Sequence, residues 1–175
     1  MPDKKALVVI DMQNDYLWPE RQPKFTYPTE ELVRLVNRAI DLYRAQGNDV
    51  LYVLQVFPNL PTNRRFIGFS IRGTAGAELY AGLKRTDGPC FEKNLPNAYI
   101  TRAFREHMSA MDYTEIALCG LDECGCIAAT ARGAAMRGAK AVILENCTGT
   151  RFSPERVART RGRLAACGVR YTRIE

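Results

Sequence analysis

The sequence predicts an α/β fold, a mainly parallel sheet with helices on both faces. Short apolar runs with strand character alternate with helical stripes from one end of the chain to the other. Gly, Pro and Asn mark the breaks between them. The length of 175 residues, with 46% hydrophobic and 25% charged residues, suits one domain with a sizeable core and no second unit.

Ala6 to Ile10 is a short β-branched run and the first strand. Thr29 to Gln46 sets Leu32, Val33, Leu35, Val36, Ala39, Ile40 and Tyr43 on one helical stripe and closes at Gly47. Asp49 to Val56 is the second strand. Residues 57 to 74, rich in Pro, Gly, Asn and Arg, form a long connection of the kind that lines or covers a site. Cys90 to Lys93 is the third strand, Ala98 to Met111 a helix, Thr114 to Cys119 the fourth strand and Cys126 to Gly138 an Ala-rich helix. Ala141 to Glu145 is the fifth strand. Ser153 then caps a helix whose first position is Pro154, and Val169 to Ile174 is the last strand.

In such sheets a ligand sits beyond the carboxyl ends of the strands. Asp11, Lys93 and Cys126 all lie at or just past such ends and would face one crevice. Taken singly, Asp11 reads as a loop carboxylate and Lys93 as a solvated lysine at a strand end. Together they supply an acid/base, a cation to hold a thiolate and a nucleophile, the parts that covalent acyl transfer requires.

Cys126 carries most of this reading. It follows a strand and a glycine-marked turn and would open the Ala-rich helix, where unpaired N–H groups and the helix dipole favour thiolate near neutral pH. The chain has six cysteines, and Cys90, Cys119, Cys147 and Cys167, in or beside apolar segments, read as packing residues. Cys124 leaves a second possibility open, a redox pair or half of a metal site made with Cys126. A zinc site needs further ligands at suitable spacing, and the only histidine is His107, in a helical stretch. No metal is expected.

No apolar run is long enough for a membrane span or a secretory core, since Asp11 interrupts the first one. A reducing cytoplasm and free thiols are therefore expected. The net charge of +6 comes from scattered arginines, and the densest stretch, Arg151 to Arg163, alternates with apolar residues like the wet face of an amphipathic helix. A nucleic-acid partner is not expected.

Four segments in order carry a resemblance. Ala6 to Tyr16 holds an opening strand and an Asp-x-Gln-x-Asp turn; Arg72 to Leu79 contains Gly-Thr-Ala-Gly-Ala; Glu92-Lys93 is followed by Asn97-Ala98-Tyr99; Gly120 to Ala131 leads from glycine to Cys-Ile-x-x-Thr-Ala. Together they resemble the isochorismatase-like cysteine hydrolases, which include nicotinamidases, carbamoyl-amide hydrolases and isochorismatases, over nearly all of residues 1–175.

The resemblance implies a Rossmann-like three-layer domain, six strands in the order 3-2-1-4-5-6, and a triad of Asp11, Lys93 and Cys126. It places Cys126, counted from Gly120, at the nucleophile position and Cys124 at a variable one. It also implies a non-proline cis peptide at Leu121–Asp122, an oxyanion hole from the backbone N–H groups of Asp122 and Cys126, no cofactor, and a homo-oligomer, dimer or tetramer. Gln13, Tyr16, Tyr99 and the 57 to 74 connection would contact a small-molecule substrate.

Departures from the family pattern narrow the activity. Leu54-Gln55-Val56-Phe57-Pro58 lacks the Asp and His that hold a metal in nicotinamidases, so that activity is not expected. Glu145-Asn146-Cys147 stands where many relatives have Asp-Ala, without touching the triad. The expected reaction is hydrolysis of a small amide, ureido or carbamoyl C–N bond through a thioester. Vinyl ether hydrolysis of the isochorismatase type, and a thiol redox or metal-binding protein using Cys124 and Cys126, are the alternatives. Arg64, Arg65 and Arg72 are candidate partners for a substrate carboxylate, although surface solvation is their default.

Overall fold

The computed structural model describes residues 4–175, so the first three residues of the expected domain lie outside it. Six strands form one parallel sheet in the order β3-β2-β1-β4-β5-β6: β1 Lys5–Ile10, β2 Asp49–Gln55, β3 Cys90–Lys93, β4 Glu115–Gly120, β5 Lys140–Thr148 and β6 Arg170–Thr172. The main helices are α1 Asn14–Leu17, α2 Thr29–Ala45, α3 Pro61–Phe66, α4 Arg102–Met111, α5 Ala128–Ala135 and α6 Pro154–Ala166. No helix among the described residues is long and apolar enough to cross a membrane.

The central strand explains the layering. Ala6 to Ile10 are fully buried, because a parallel strand in the middle of the sheet is covered on both faces. Alternation then divides them. Leu7 and Val9 pack with Val36 and Ile40 of α2, whereas Ala6, Val8 and Ile10 pack with Phe104 of α4 and Ala131 of α5. Strand register aligns the carboxyl ends, with Ile10 opposite both Val53 and Gly120, and Gln55 opposite Lys93.

Two features depart from the expected turn after β4. The peptides of the described residues are all trans, Leu121–Asp122 included. A non-proline cis bond costs about 3 kcal/mol, and the chain changes direction instead at Gly120, whose φ is +105°. A Cβ at Gly120 would press into the backbone carbonyl of Ile10. Gly120→Ala should therefore destabilise the fold by more than about 1 kcal/mol, read as a lower urea midpoint at unchanged slope.

The second departure concerns the helix. Glu123–Ile127 forms a π-turn in which Gly125 is non-helical (φ −117°, ψ −107°), and regular α-helix begins only at Ala128. Asp122 builds this turn: its carbonyl accepts from the N–H groups of Gly125 and Ile127, and its Oδ1 from Cys124 N–H at 2.8 Å. Cys126 thus sits inside a wide turn rather than at the first position of α5.

Candidate active site

The cavity beyond the carboxyl ends of β1, β2 and β4 measures about 280 Å³. Asp11, Gln55 and Cys126 are among its polar lining, and Tyr16, Phe25, Tyr27, Phe57, Phe69 and Phe152 supply aromatic walls. Arg151, Arg156 and Asn94 complete its polar side.

Asp11 leaves β1 with φ +54°, an uncommon conformation for a non-glycine residue, while its N–H still donates to Val53 O across the sheet at 2.8 Å. That bond holds the carboxylate at the strand end. Lys93 Nζ, whose side chain is 1% exposed, donates to Asp11 Oδ2 at 3.0 Å, to Gln55 Oε1 at 2.7 Å and to Cys126 Sγ at 3.2 Å. Three acceptors use the three donors of one ammonium. Asp11 Oδ1 is buried without a hydrogen-bond partner.

The electrostatics correct one expectation from the sequence. Burial, and next the Asp11 charge, push the Cys126 thiol well above its ordinary range, and the opposing pull of Lys93 is smaller. Burial alone would pull the Lys93 ammonium down, but the neighbouring Asp11 charge, joined by the Cys126 sulfur when it is ionised, more than offsets it, so the lysine stays charged. The Tyr16 phenol is likewise held protonated, by burial first and then by Asp11.

Other candidates are placed differently. Tyr16 lines the cavity and hydrogen-bonds Ser70 through its hydroxyl at 3.0 Å. Gln13 is fully buried and is not part of the cavity wall: its Nε2 donates to Gln55 O and Ala77 O, and its Oε1 accepts from Gln55 N–H. Its amide is consumed in fixing the end of β2. Tyr99 also turns away, packing edge-on against Phe104 at 5.1 Å between ring centres, under the guanidinium of Arg137. A short turn over Ala98–Ile100, in which Asn97 Oδ1 accepts from Tyr99 N–H, directs that ring into the core. Arg72 pairs with Glu92 and Arg64 with Asn59, and neither they nor Arg65 line the cavity.

The N–H groups of Glu123, Cys124, Gly125 and Ile127 are all bonded within the turn or to Gly149, whereas that of Asp122 has no partner among the described residues. The Asp122 carboxylate also accepts from Thr150 Oγ1, Arg151 N–H and the Tyr27 hydroxyl, joining the Cys126 turn to two cavity walls. Behind it, Glu123 is 3% exposed and bound by the guanidinium of Arg161, which also reaches Glu145.

The sequence reading did not single out Gln55 as a site residue, and it read the run containing Arg151 and Arg156 as a wet helix face. It also passed over the segment carrying Phe25 and Tyr27. This segment has no regular structure, but Arg21 gathers it, donating to the carbonyls of Leu17, Trp18, Phe25 and Tyr27. Among the described residues no three His, Cys, Asp or Glu side chains are grouped to hold a metal, and all six cysteines are free.

The family described as Isochorismatase domain matches residues 5–175. The chain belongs to the isochorismatase family. The uncharacterized isochorismatase family protein YddQ of Bacillus subtilis (strain 168) is 25% identical over 146 residues, 83% of this chain and 77% of that relative. Among solved structures, N-carbamoylsarcosine amidase from Thermoplasma acidophilum superposes with a TM-score of 0.80 at 24% identity, covering 97% of this chain and 96% of its own. The pyrazinamidase of Pyrococcus horikoshii in complex with zinc gives 0.84 at 20%, covering 98% and 99%. The nicotinamidase/pyrazinamidase from Bacillus subtilis gives 0.82 at 23%, covering 97% and 99%. These are likenesses of fold.

Proposed function

We propose that this isochorismatase-family domain is a cysteine-dependent hydrolase of a small amide, ureido or carbamoyl C–N bond. The observation that carries the reading is the shared ammonium: Lys93 donates to both Asp11 and Cys126, which line the cavity, beside a carboxylate oxygen with no partner. The amidases among the structural neighbours add support for C–N chemistry.

Burial and the Asp11 charge favour the protonated thiol, so the scheme gives the reaction a base. Asp11 Oδ1 takes the thiol proton as Cys126 Sγ attacks the substrate carbonyl, and Lys93 holds the sulfur's developing charge. The carbonyl oxygen becomes an oxyanion held by the N–H groups of Asp122 and Cys126. The C–N bond breaks, Asp11 returns the proton to the departing ammonia or amine, and a thioester remains on Cys126. Asp11 then takes a proton from water, whose oxygen adds to the thioester carbonyl. Collapse of that adduct, with Asp11 handing its proton to the departing sulfur, frees the carboxylic acid and restores the thiol. No cofactor enters this scheme.

The aromatic walls suit a small flat substrate, and Arg151 and Arg156, the latter 3.8 Å over the Phe152 ring, suit an anionic group on it. Vinyl ether hydrolysis needs a proton donor but no thiol, so the contact between Lys93 and Cys126 favours the acyl reading. A panel of ureido acids, carbamoyl compounds and primary amides, assayed for ammonia, tests the proposal. Release from at least one class is expected, and no release from any overturns it.

Assembly is part of the same proposal. Phe66 of α3 is 79% exposed and Leu60, just before that helix, 52%, in the same connection that carries the cavity-lining Phe57 and Phe69. A homo-oligomer is expected by light scattering at micromolar concentration, and a lone protomer near 19.7 kDa would contradict it.

A further inference from the structure

Gln55 stands between Lys93 and the cavity, and nothing in the scheme above uses it. Lys93 Nζ lies 2.7 Å from its side-chain amide. An ammonium has no lone pair to offer, so the amide atom facing it must be oxygen, which forces the NH2 the other way. Gln55 lines the cavity, its Nε2 makes no hydrogen bond among the described residues, and that atom is not one of those sealed from solvent without a partner. The backbone is fixed as well. Gln13 clamps both the N–H and the carbonyl of Gln55, at 2.9 Å each.

We infer that Gln55 is a specificity-determining residue whose NH2 group, aimed by Lys93, donates to an acceptor oxygen of the substrate beside the atom that Cys126 attacks. The inference rests on the hydrolase reading and narrows its substrates to amides or ureido compounds with a second carbonyl or carboxylate oxygen near the scissile bond. A donor aimed into a cavity with no protein partner favours ligands that satisfy it, and a plain alkyl amide leaves it unpaired.

The test uses the intact chain and two alkylating probes of Cys126: iodoacetamide, which carries a carbonyl acceptor, and allyl bromide, which carries none. Rates at Cys126 are read by peptide mass spectrometry and expressed as the ratio of the two reagents. Both are attacked by the same thiolate, so a change in thiol ionisation cancels. The wild-type ratio should exceed that of free cysteine by about tenfold, and Gln55→Met and Gln55→Glu should each remove most of that excess. Neither variant keeps the donor, but Gln55→Glu retains an acceptor for Lys93, so a common loss assigns the effect to the NH2 group. A wild-type ratio equal to that of free cysteine, or variants within about twofold of wild type, overturns the inference. If no amide is hydrolysed, the hydrolase reading fails while the alkylation ratio still decides the role of Gln55.

Discussion

Cys126→Ala should lower hydrolysis at least about 10⁴-fold, as expected when a covalent nucleophile is removed, while Cys124→Ala should stay within about threefold of wild type. Both thiols line the cavity, so proximity alone does not separate them. Only Cys126 is hydrogen-bonded to Lys93. Comparing kcat/KM for the two variants on one amide decides the matter. Equal loss from both, with a Cys124–Cys126 disulfide in the active protein, would support the redox alternative.

The second large effect separates thiol ionisation from catalysis. Burial and the Asp11 charge hold the Cys126 thiol protonated, and Lys93 opposes them. Asp11→Asn removes a neighbouring negative charge, so the pH at which iodoacetamide modifies Cys126 should fall by about one unit. Turnover should nevertheless drop about 10²- to 10⁴-fold, because an amide cannot take the thiol proton or return it to the leaving group. Lys93→Ala acts in the opposite sense on ionisation. With its cation gone, the buried thiol should need a pH about one or more units higher to react. If Lys93→Ala left the alkylation profile unchanged, the lysine would have no electrostatic hold on the thiol.

Most of the scaffold was legible in the sequence because its signals are local. The apolar run at Ala6 to Ile10 becomes the fully buried central strand, and Cys90 to Lys93 is the strand expected. Ser153 and Pro154 open α6, with Ser153 Oγ accepting from Arg156 N–H at 3.4 Å. The strand order required the family resemblance together with the handedness of parallel crossovers.

What escaped the sequence is tertiary. The stretch from Cys126 reads as helix from its composition, but the Asp122 carbonyl and Gly125 widen its first turn, and burial outweighs any advantage of a helix start for the thiolate. Gln55 has no distinctive local pattern, and its role becomes visible only when β3 lays Lys93 alongside it. Arg151 alternates with apolar neighbours like a surface residue, yet its backbone is tied to Asp122 and its side chain is brought to the cavity. Tyr99, a few residues past the lysine strand, is carried into the core beside Phe104 by the turn at Ala98–Ile100.

The central claim is that Cys126 forms a covalent acyl intermediate. Its most direct test is acid quench of the protein during turnover of an amide, followed by intact-mass and peptide mass spectrometry. The account predicts a mass increase equal to the acyl group, mapped to Cys126 and discharged by hydroxylamine as a thioester would be. Hydrolysis that proceeds with no adduct on Cys126, and continues at the wild-type rate in Cys126→Ala, would contradict it.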